Sequence, residues 1–129
     1  MGQKLLIVDD ESHIRMLIEQ TLEDLEDEGV ELLFAENGAQ ALEIIREEEP
    51  NLVFLDVMMP KMNGMQVCQK VKKELNLNEV YIILLTAKAD HVSKIAGLQK
   101  GADAYLAKPF NREELLVRLQ QLIELRRKR

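Results

Sequence analysis

The sequence predicts an α/β fold in which a five-stranded parallel sheet is covered by helices on both faces. Five short apolar runs alternate along the chain with five longer amphipathic segments, an order typical of consecutive β–α units. The connections between them are short, so each helix is expected to pack back onto the sheet. At 129 residues the chain is long enough for one domain with one hydrophobic core.

Each predicted strand is an almost unbroken apolar run, as expected for strands that helices cover on both faces. The first run stops at Asp9, and the third stops at Asp56. A lone ionised carboxylate is costly to bury, so an acid that directly follows a buried strand is expected to have a partner. The five predicted strands are residues 5–8, 32–35, 52–55, 80–85 and 104–107.

The predicted helices repeat apolar residues every three or four positions, which places those residues on one helix face. Asn37 with Gln40, and Asn111 with Glu114, are typical capping pairs at the starts of the second and fifth helices. The apolar repeats are Ile14, Ile18, Leu22 and Leu25; Ala41, Leu42 and Ile45; Val67, Val71 and Leu75; Val92, Ile95 and Ala96; and Leu115, Leu119, Leu122 and Ile123.

Composition argues against several classes of protein. The net charge of −6 and the pI near 5.0 argue against direct nucleic-acid binding, because proteins that bind phosphate backbones carry a basic face. A single cysteine, Cys68, excludes an internal disulfide and a cysteine-rich zinc cluster, and it suits a reducing cytoplasm. No apolar run is long enough to span a membrane or to form a signal peptide. We therefore expect a cytoplasmic domain without membrane contact.

Residues capable of chemistry follow four of the five predicted strands. Asp9 and Asp10 follow the first strand, Asp56 the third, Thr86 the fourth and Lys108 the fifth. Ligands of open parallel sheets bind beyond the carboxyl ends of the strands, so we expect these side chains to meet at one rim. Two carboxylates about 4 Å apart repel by roughly 4 kcal/mol at an effective dielectric near 20. Such a site either keeps an acid protonated or binds a hard cation, and Mg²⁺ suits a few carboxylates with water and phosphate.

Together these segments resemble the receiver domain of two-component response regulators, close to the chemotaxis-type single domain. The resemblance is carried by "LLIVDDE", "FLDVMMPKMNG", "ILLTAKAD" and "GADAYLAKPF" and covers essentially the whole chain. It implies the flavodoxin-like (βα)5 three-layer sandwich, with strand order 2-1-3-4-5. It also implies a receiver domain over residues 1–124, followed at residues 125–129 by a basic C-terminal tail or the start of a linker.

The resemblance assigns a phosphoacceptor and a metal site. Asp56 matches the phosphoacceptor, a carboxylate nucleophile that forms an acyl phosphate. Asp9 and Asp10 match the metal-binding acid pair, and Asp56 and the backbone carbonyl of Met58 match the other protein ligands. The implied cofactor is Mg²⁺, with Mn²⁺ as an alternative ion.

The resemblance also assigns the residues that respond to phosphorylation. Lys108 matches the phosphoryl-binding lysine, and the Lys108–Pro109 bond matches the family's cis peptide. Thr86 matches the switch hydroxyl and Tyr105 the switch aromatic. We expect Thr86 to move toward the phosphoryl group and Tyr105 to fill the space it leaves. This would reshape the face built from the fourth helix, fifth strand and fifth helix.

These assignments predict a phosphorylation-activated signalling switch rather than an enzyme. The phosphoryl donor would be a sensor histidine kinase or a histidine phosphotransfer protein, and the domain would slowly remove the phosphoryl group itself. An effector domain or a target protein would bind the reshaped face, and a phosphorylation-dependent homodimer would use the same face.

Two other functions remain open on the sequence. One is a degenerate receiver that serves as a phosphorylation-independent binding scaffold. The other is a phosphatase with an aspartyl-phosphate intermediate. Haloacid-dehalogenase-like phosphatases usually carry a second acid two residues after the nucleophile, and this chain has Met58 there.

Overall fold

The five predicted strands form one parallel sheet in the order β2-β1-β3-β4-β5. The computed structural model describes residues 3–26, 30–57, 59, 62–77, 79–87, 101–108, 111–117 and 120. The predicted fold class and strand order are confirmed. The strands are β1 (Gln3–Val8), β2 (Val30–Ala35), β3 (Leu52–Asp56), β4 (Tyr81–Ala87) and β5 (Ala104–Lys108).

The helices within the described ranges agree with the apolar repeats. They are α1 (Ser12–Glu26), α2 (Gly38–Glu48) and α3 (Gly64–Gln69), which continues as a π-helical segment (Lys70–Glu74). Residues 112–117 are also helical and are called the C-terminal helix below. The fourth predicted helix lies outside the described residues. None of the described helices has the length and apolar character needed to cross a bilayer.

Asparagine side chains cap the starts of three helices. Asn37 and Asn111 each accept a hydrogen bond at 2.8 Å from the backbone N–H three residues later, as the capping pairs predicted. The start of α3 has a full capping box that was not predicted. Asn63 Oδ1 accepts from the Gln66 N–H at 2.9 Å, and Gln66 Oε1 accepts from the Asn63 N–H at 2.9 Å.

Two hydrophobic clusters cover the two faces of the sheet. Leu55 belongs to a cluster that includes buried residues of α2 and α3, among them Ile45 and Val67. Phe54, its neighbour on β3, belongs to a second cluster with Ile18 of α1 and Leu115 of the C-terminal helix. Successive residues of a strand point to opposite faces, so the clusters lie on opposite sides of the sheet. Burial on both sides explains why the strands are continuously apolar.

Cys68 is part of the first cluster and is fully buried. Burial raises the pKa of its thiol to about 11, so the thiol is protonated and uncharged at neutral pH. It packs as a small apolar side chain.

An ion pair between a buried lysine and a partly exposed aspartate, which the sequence did not indicate, joins the π-helical segment to β4 and to the residues before β5. Lys72 Nζ lies 2.8 Å from Asp103 Oδ2 and donates to the Val80 carbonyl at 2.5 Å. Asp103 Oδ2 also accepts from the Ile82 N–H at 2.8 Å. Gly101, with φ of +105°, lies against the Lys72 stem, where a Cβ would come within 3.1 Å. These contacts hold the start of β5 beside the start of β4.

Removing the Asp103 carboxylate should destabilise the fold. Asp103→Ala removes the carboxylate that lies 2.8 Å from the Lys72 ammonium, whose side chain is only 8% exposed. We expect the free energy of unfolding to fall by about 2 kcal/mol, somewhat less than for a fully buried pair because the Asp103 side chain is 30% exposed. Urea denaturation would measure this change.

The matched control is Glu74→Ala, which breaks the exposed Lys70–Glu74 pair at 3.4 Å. That change should alter stability by less than about 0.5 kcal/mol. A loss for Asp103→Ala no larger than for Glu74→Ala would show that the Lys72 pair has no special role in stability.

Candidate functional site

Charged side chains lie at the carboxyl ends of three strands. Asp9 directly follows β1 and is fully buried. Asp56 is the last residue of β3 and only 3% exposed, and Lys108 is the last residue of β5. In the sheet register Asp56 pairs with Leu85 and Lys108 pairs with Ala87, so β4 separates the acid from the lysine.

The Lys108 side chain spans β4 to reach Asp56. Asp56 and Lys108 each lie two residues after a member of the second cluster, Phe54 and Leu106 respectively, so both point to the same face of the sheet. Strands two positions apart are separated by roughly 10 Å, a gap that a short side chain could not close. The long lysine side chain brings Nζ to 3.4 Å from Asp56 Oδ2.

The Lys108 ammonium contacts two further carboxylates. It lies 2.9 Å from Asp9 Oδ2 and 3.2 Å from Glu11 Oε1. Burial by itself lowers the pKa of Lys108. The hydrogen bond to Asp9, the negative charge of Asp56 and the bond to Glu11 outweigh burial, so the pKa of Lys108 is raised overall. Lys108 is therefore a permanent cation at neutral pH.

Four carboxylates converge at this rim, and three of them contact the ammonium. Asp9, Asp10, Glu11 and Asp56 each offer an oxygen, and these four atoms all lie within 4.8 Å of one another. One ammonium offsets the formal charge of only one of the four acids. Carboxylate oxygens are the hard ligands that Mg²⁺ prefers, so the donor set fits a divalent ion together with water or an anionic ligand.

The loop after β1 is held by bonds that the sequence analysis missed. The Glu11 N–H donates to Asp9 Oδ1 at 2.9 Å, and Arg15 Nη1 donates to the Asp9 carbonyl at 2.6 Å. These bonds fix the backbone that presents Asp9, Asp10 and Glu11. Glu11 and Arg15 were visible as the third acid of "DDE" and a basic residue four positions later, but neither pattern indicates a contact by itself.

The loop after β3 returns close to the strand end. The Gly64 N–H donates to the Val57 carbonyl at 3.1 Å. A Cβ on Gly64 would overlap the Asp56 carbonyl oxygen, so any larger residue would push the start of α3 away from the site. Gly64 was also missed, because a glycine where a loop meets a helix is common and does not by itself indicate a close contact.

Thr86 and Tyr105 share a face of the sheet. Thr86 is buried on β4, one residue beyond the partner of Asp56. Tyr105 pairs with Leu84 and packs, half-buried, against the first cluster, to which Leu84 belongs. Thr86 lies two residues after Leu84, so it points to the same face as Tyr105. Met58 and Pro109 lie outside the described residues, so the predicted carbonyl ligand and cis peptide stay predictions.

Comparison with known proteins identifies similar sequences and folds. A sequence profile described as the response regulator receiver domain matches residues 5–120. The chain is 46% identical over 121 residues to "Probable transcriptional regulator ycf27" of Porphyra purpurea, which covers 94% of this chain and 47% of that protein. The solved structure of chemotaxis response regulator CheY4 of Vibrio cholerae matches with a TM-score of 0.83 and 33% identity, covering 95% of this chain and 99% of CheY4. The Francisella response regulator 1452 receiver domain matches with a TM-score of 0.81 and 32% identity, covering 95% and 98%.

The chain spans about half the length of the curated relatives it matches. It spans almost all of the two solved structures described above. The similarity therefore concerns one domain, and the remaining half of each curated relative has no counterpart in this sequence.

Substitutions of Lys108 and Asp9 should have strongly coupled effects on the free energy of unfolding. In metal-free buffer, Lys108→Met removes the ammonium that contacts the buried Asp9 and Asp56 carboxylates, and we expect the free energy of unfolding to fall by about 2–3 kcal/mol. Asp9→Asn removes one of these negative charges. The double variant should therefore lose less free energy of unfolding than the two single variants lose together. A double-mutant cycle by urea denaturation should give a coupling energy of at least about 1 kcal/mol.

The Lys4–Glu48 pair provides the control for this cycle. Its atoms are 3.0 Å apart, but both side chains are more than a third exposed. A Lys4→Met and Glu48→Gln cycle should give a coupling energy below about 0.5 kcal/mol. Equal coupling in the two cycles would contradict a special role for the Lys108 ammonium.

Proposed function

The chain belongs to the response regulator receiver domain family, and from this premise we propose that it is a phosphorylation-activated switch of a two-component phosphorelay. The phosphoacceptor in this proposal is Asp56. The observation that carries it is the position of the Asp56 carboxylate, at a buried strand end, 3.4 Å from Lys108 Nζ and among the acids Asp9, Asp10 and Glu11.

The acid cluster suits Mg²⁺, with Mn²⁺ as an alternative ion. Asp9, Asp10 and Asp56 would hold the ion with the backbone carbonyl of Met58, and water and a phosphoryl oxygen would complete the shell. When bound, the ion neutralises charge on the phosphoryl oxygens and lets the Asp56 carboxylate approach an anionic donor.

The residues of the chain then carry the transfer. One Asp56 carboxylate oxygen donates an electron pair to phosphorus and forms a new O–P bond. The bond from phosphorus to the imidazole nitrogen of the donor histidine breaks, and its electron pair leaves with that nitrogen. Lys108 binds a phosphoryl oxygen through its ammonium, and Thr86 donates a hydroxyl hydrogen bond to another. In the slow hydrolysis, a water oxygen bonds to phosphorus while the Asp56 O–P bond breaks, its electron pair returns to the carboxylate, and inorganic phosphate leaves with the water protons.

The structural change caused by phosphorylation would pass through Thr86 and Tyr105. Their common face of the sheet supports a switch in which Thr86 moves toward the phosphoryl group and Tyr105 occupies the vacated space. A few charge-assisted hydrogen bonds of roughly 1.5–3 kcal/mol each could supply the 5.5 kcal/mol or so that reverses a 1:99 equilibrium. The reshaped surface would comprise the fourth predicted helix, β5 and the C-terminal helix.

The partners follow from this role. The donor would be a sensor histidine kinase or a histidine phosphotransfer protein in the cytoplasm. The curated relatives are named transcriptional regulators and are about twice as long, so we propose an effector domain or target protein with a transcriptional output. In this proposal residues 1–124 form the receiver domain and residues 125–129 begin a linker or tail. The acidic domain itself would not bind nucleic acid, and a phosphorylation-dependent homodimer would form through the reshaped surface.

Asp56→Asn should abolish phosphorylation. Incubation with acetyl phosphate and Mg²⁺ should add one phosphate-sized mass to the wild-type chain and none to Asp56→Asn, because an amide oxygen is a poor nucleophile. Intact-mass spectrometry would measure the gain. The control Glu43→Gln, an exposed change on α2, should be phosphorylated like the wild type.

The same experiment separates the other functions. A folded wild-type chain that binds Mg²⁺ but gains no mass would favour the binding scaffold. Rapid turnover of a phosphate monoester that Asp56→Asn loses would favour the phosphatase.

Mg²⁺ should stabilise the domain through Asp10. At about 100 times its dissociation constant, a ligand specific for the folded state adds about 2.7 kcal/mol, which should appear as a rise in the melting temperature. Asp10→Asn should lose most of this rise but little stability without Mg²⁺, because Asp10 is exposed. Differential scanning calorimetry with and without Mg²⁺ would test this. Glu43→Gln should keep the full rise, and an equal rise in Asp10→Asn would contradict the proposed metal site.

A further inference from the structure

Carboxylates surround the Lys108 ammonium. It carries three N–H groups, and three carboxylates surround it, Asp9 at 2.9 Å, Glu11 at 3.2 Å and Asp56 at 3.4 Å. A phosphoryl oxygen that binds Lys108 therefore competes with these carboxylates for the ammonium. The proposed function requires this competition, so it matters which carboxylate yields its place.

Glu11 is the carboxylate that can leave most easily. Asp9 is fully buried, and its other oxygen accepts a hydrogen bond from the Glu11 N–H. Moving the Asp9 side chain into water would break this bond and disturb the loop after β1. Asp56 is held at the end of β3 with its side chain 5% exposed. The Glu11 side chain is 47% exposed, and its second oxygen lies 3.4 Å from His13, whose side chain is 74% exposed. Rotation of Glu11 into water leaves no uncompensated buried charge.

We propose that Glu11 is a positioning residue that holds the Lys108 ammonium in the unphosphorylated domain and is displaced from it by the phosphoryl group. The proposal rests on Asp56 being the phosphoacceptor. Glu11 then opposes phosphorylation in two ways: it competes for the Lys108 donor, and its negative charge repels the incoming anion. It acts through Lys108 and touches neither phosphorus nor the leaving group.

This role predicts whether removing the Glu11 charge strengthens or weakens the binding of a phosphoryl mimic. Glu11→Gln keeps the size of the side chain but weakens its hold on Lys108 and removes the repulsion. The affinity for a phosphoryl mimic should rise by about two- to fivefold, the range expected for a half-exposed ion pair. A Glu11 that instead supported a bound metal ion would give the opposite sign, since its loss would weaken the binding of both the ion and the mimic.

The test measures equilibrium binding of beryllofluoride, a tetrahedral phosphoryl mimic, at saturating Mg²⁺. Fluorine-19 NMR would give the dissociation constants of the wild type, Glu11→Gln, Glu11→Asp and the exposed control Glu43→Gln. A Mg²⁺ titration and the acetyl phosphate mass assay on the same proteins would accompany it. Glu11→Asp keeps the negative charge but shortens the side chain by one methylene. It therefore distinguishes the effect of losing the Lys108 contact from the effect of losing the charge.

Tighter beryllofluoride binding by both Glu11 variants, larger for Glu11→Gln and absent for Glu43→Gln, with unchanged Mg²⁺ affinity, would support the proposal. Unchanged or weaker binding by Glu11→Gln would overturn it, as would an equal gain in Glu43→Gln or a gain in Glu11→Gln alone. If the wild type gains phosphate on Asp56 while the Glu11 variants match it in every assay, only this inference fails. If the wild type neither binds beryllofluoride nor gains phosphate, the proposed function fails with it.

Discussion

The site depends on one ammonium group that reaches the acids of two neighbouring strands, β1 and β3, from the far side of β4. Lys108 reaches from β5 across β4 to Asp56 and on to Asp9 and Glu11. Without it, several carboxylates would lie close together at one rim of the sheet without the positive charge that now lies among them. With it, the formal charge is still strongly negative, so the site favours a further cation.

The position of Lys108 is set at the other end of its strand. β5 has five residues, and the loop that leads into it is held by the Lys72–Asp103 pair and by the Asp103 bond to Ile82. These contacts fix the register of β5 on β4. A shift of one residue would turn Lys108 to the opposite face of the sheet, away from Asp56. The Lys72–Asp103 pair at the amino ends of the strands therefore supports the charged site at their carboxyl ends.

Much of the architecture and the candidate residues could be predicted from local patterns. Unbroken apolar runs predicted the buried parallel strands, three-four repeats predicted the helices, and Asn37 and Asn111 were read correctly as caps. Acids that stop a buried strand, such as Asp9 and Asp56, drew attention to one rim because burying a lone charge is costly. The roles of these residues in phosphorylation came from a family resemblance and stay predictions.

Only the tertiary structure decided which charges are partners. Glu11 and Lys108 are 97 residues apart in sequence, and Lys72 and Asp103 are 31 apart, so no local pattern marks either pair. An exposed glutamate after two aspartates, or a lysine on a helix, is by itself an ordinary solvated residue. The sequence determined the fold, because the periodicity of burial is local. The charge partners required the folded sheet, because the electrostatic contacts exist only once distant strand ends are brought within a few ångströms of one another.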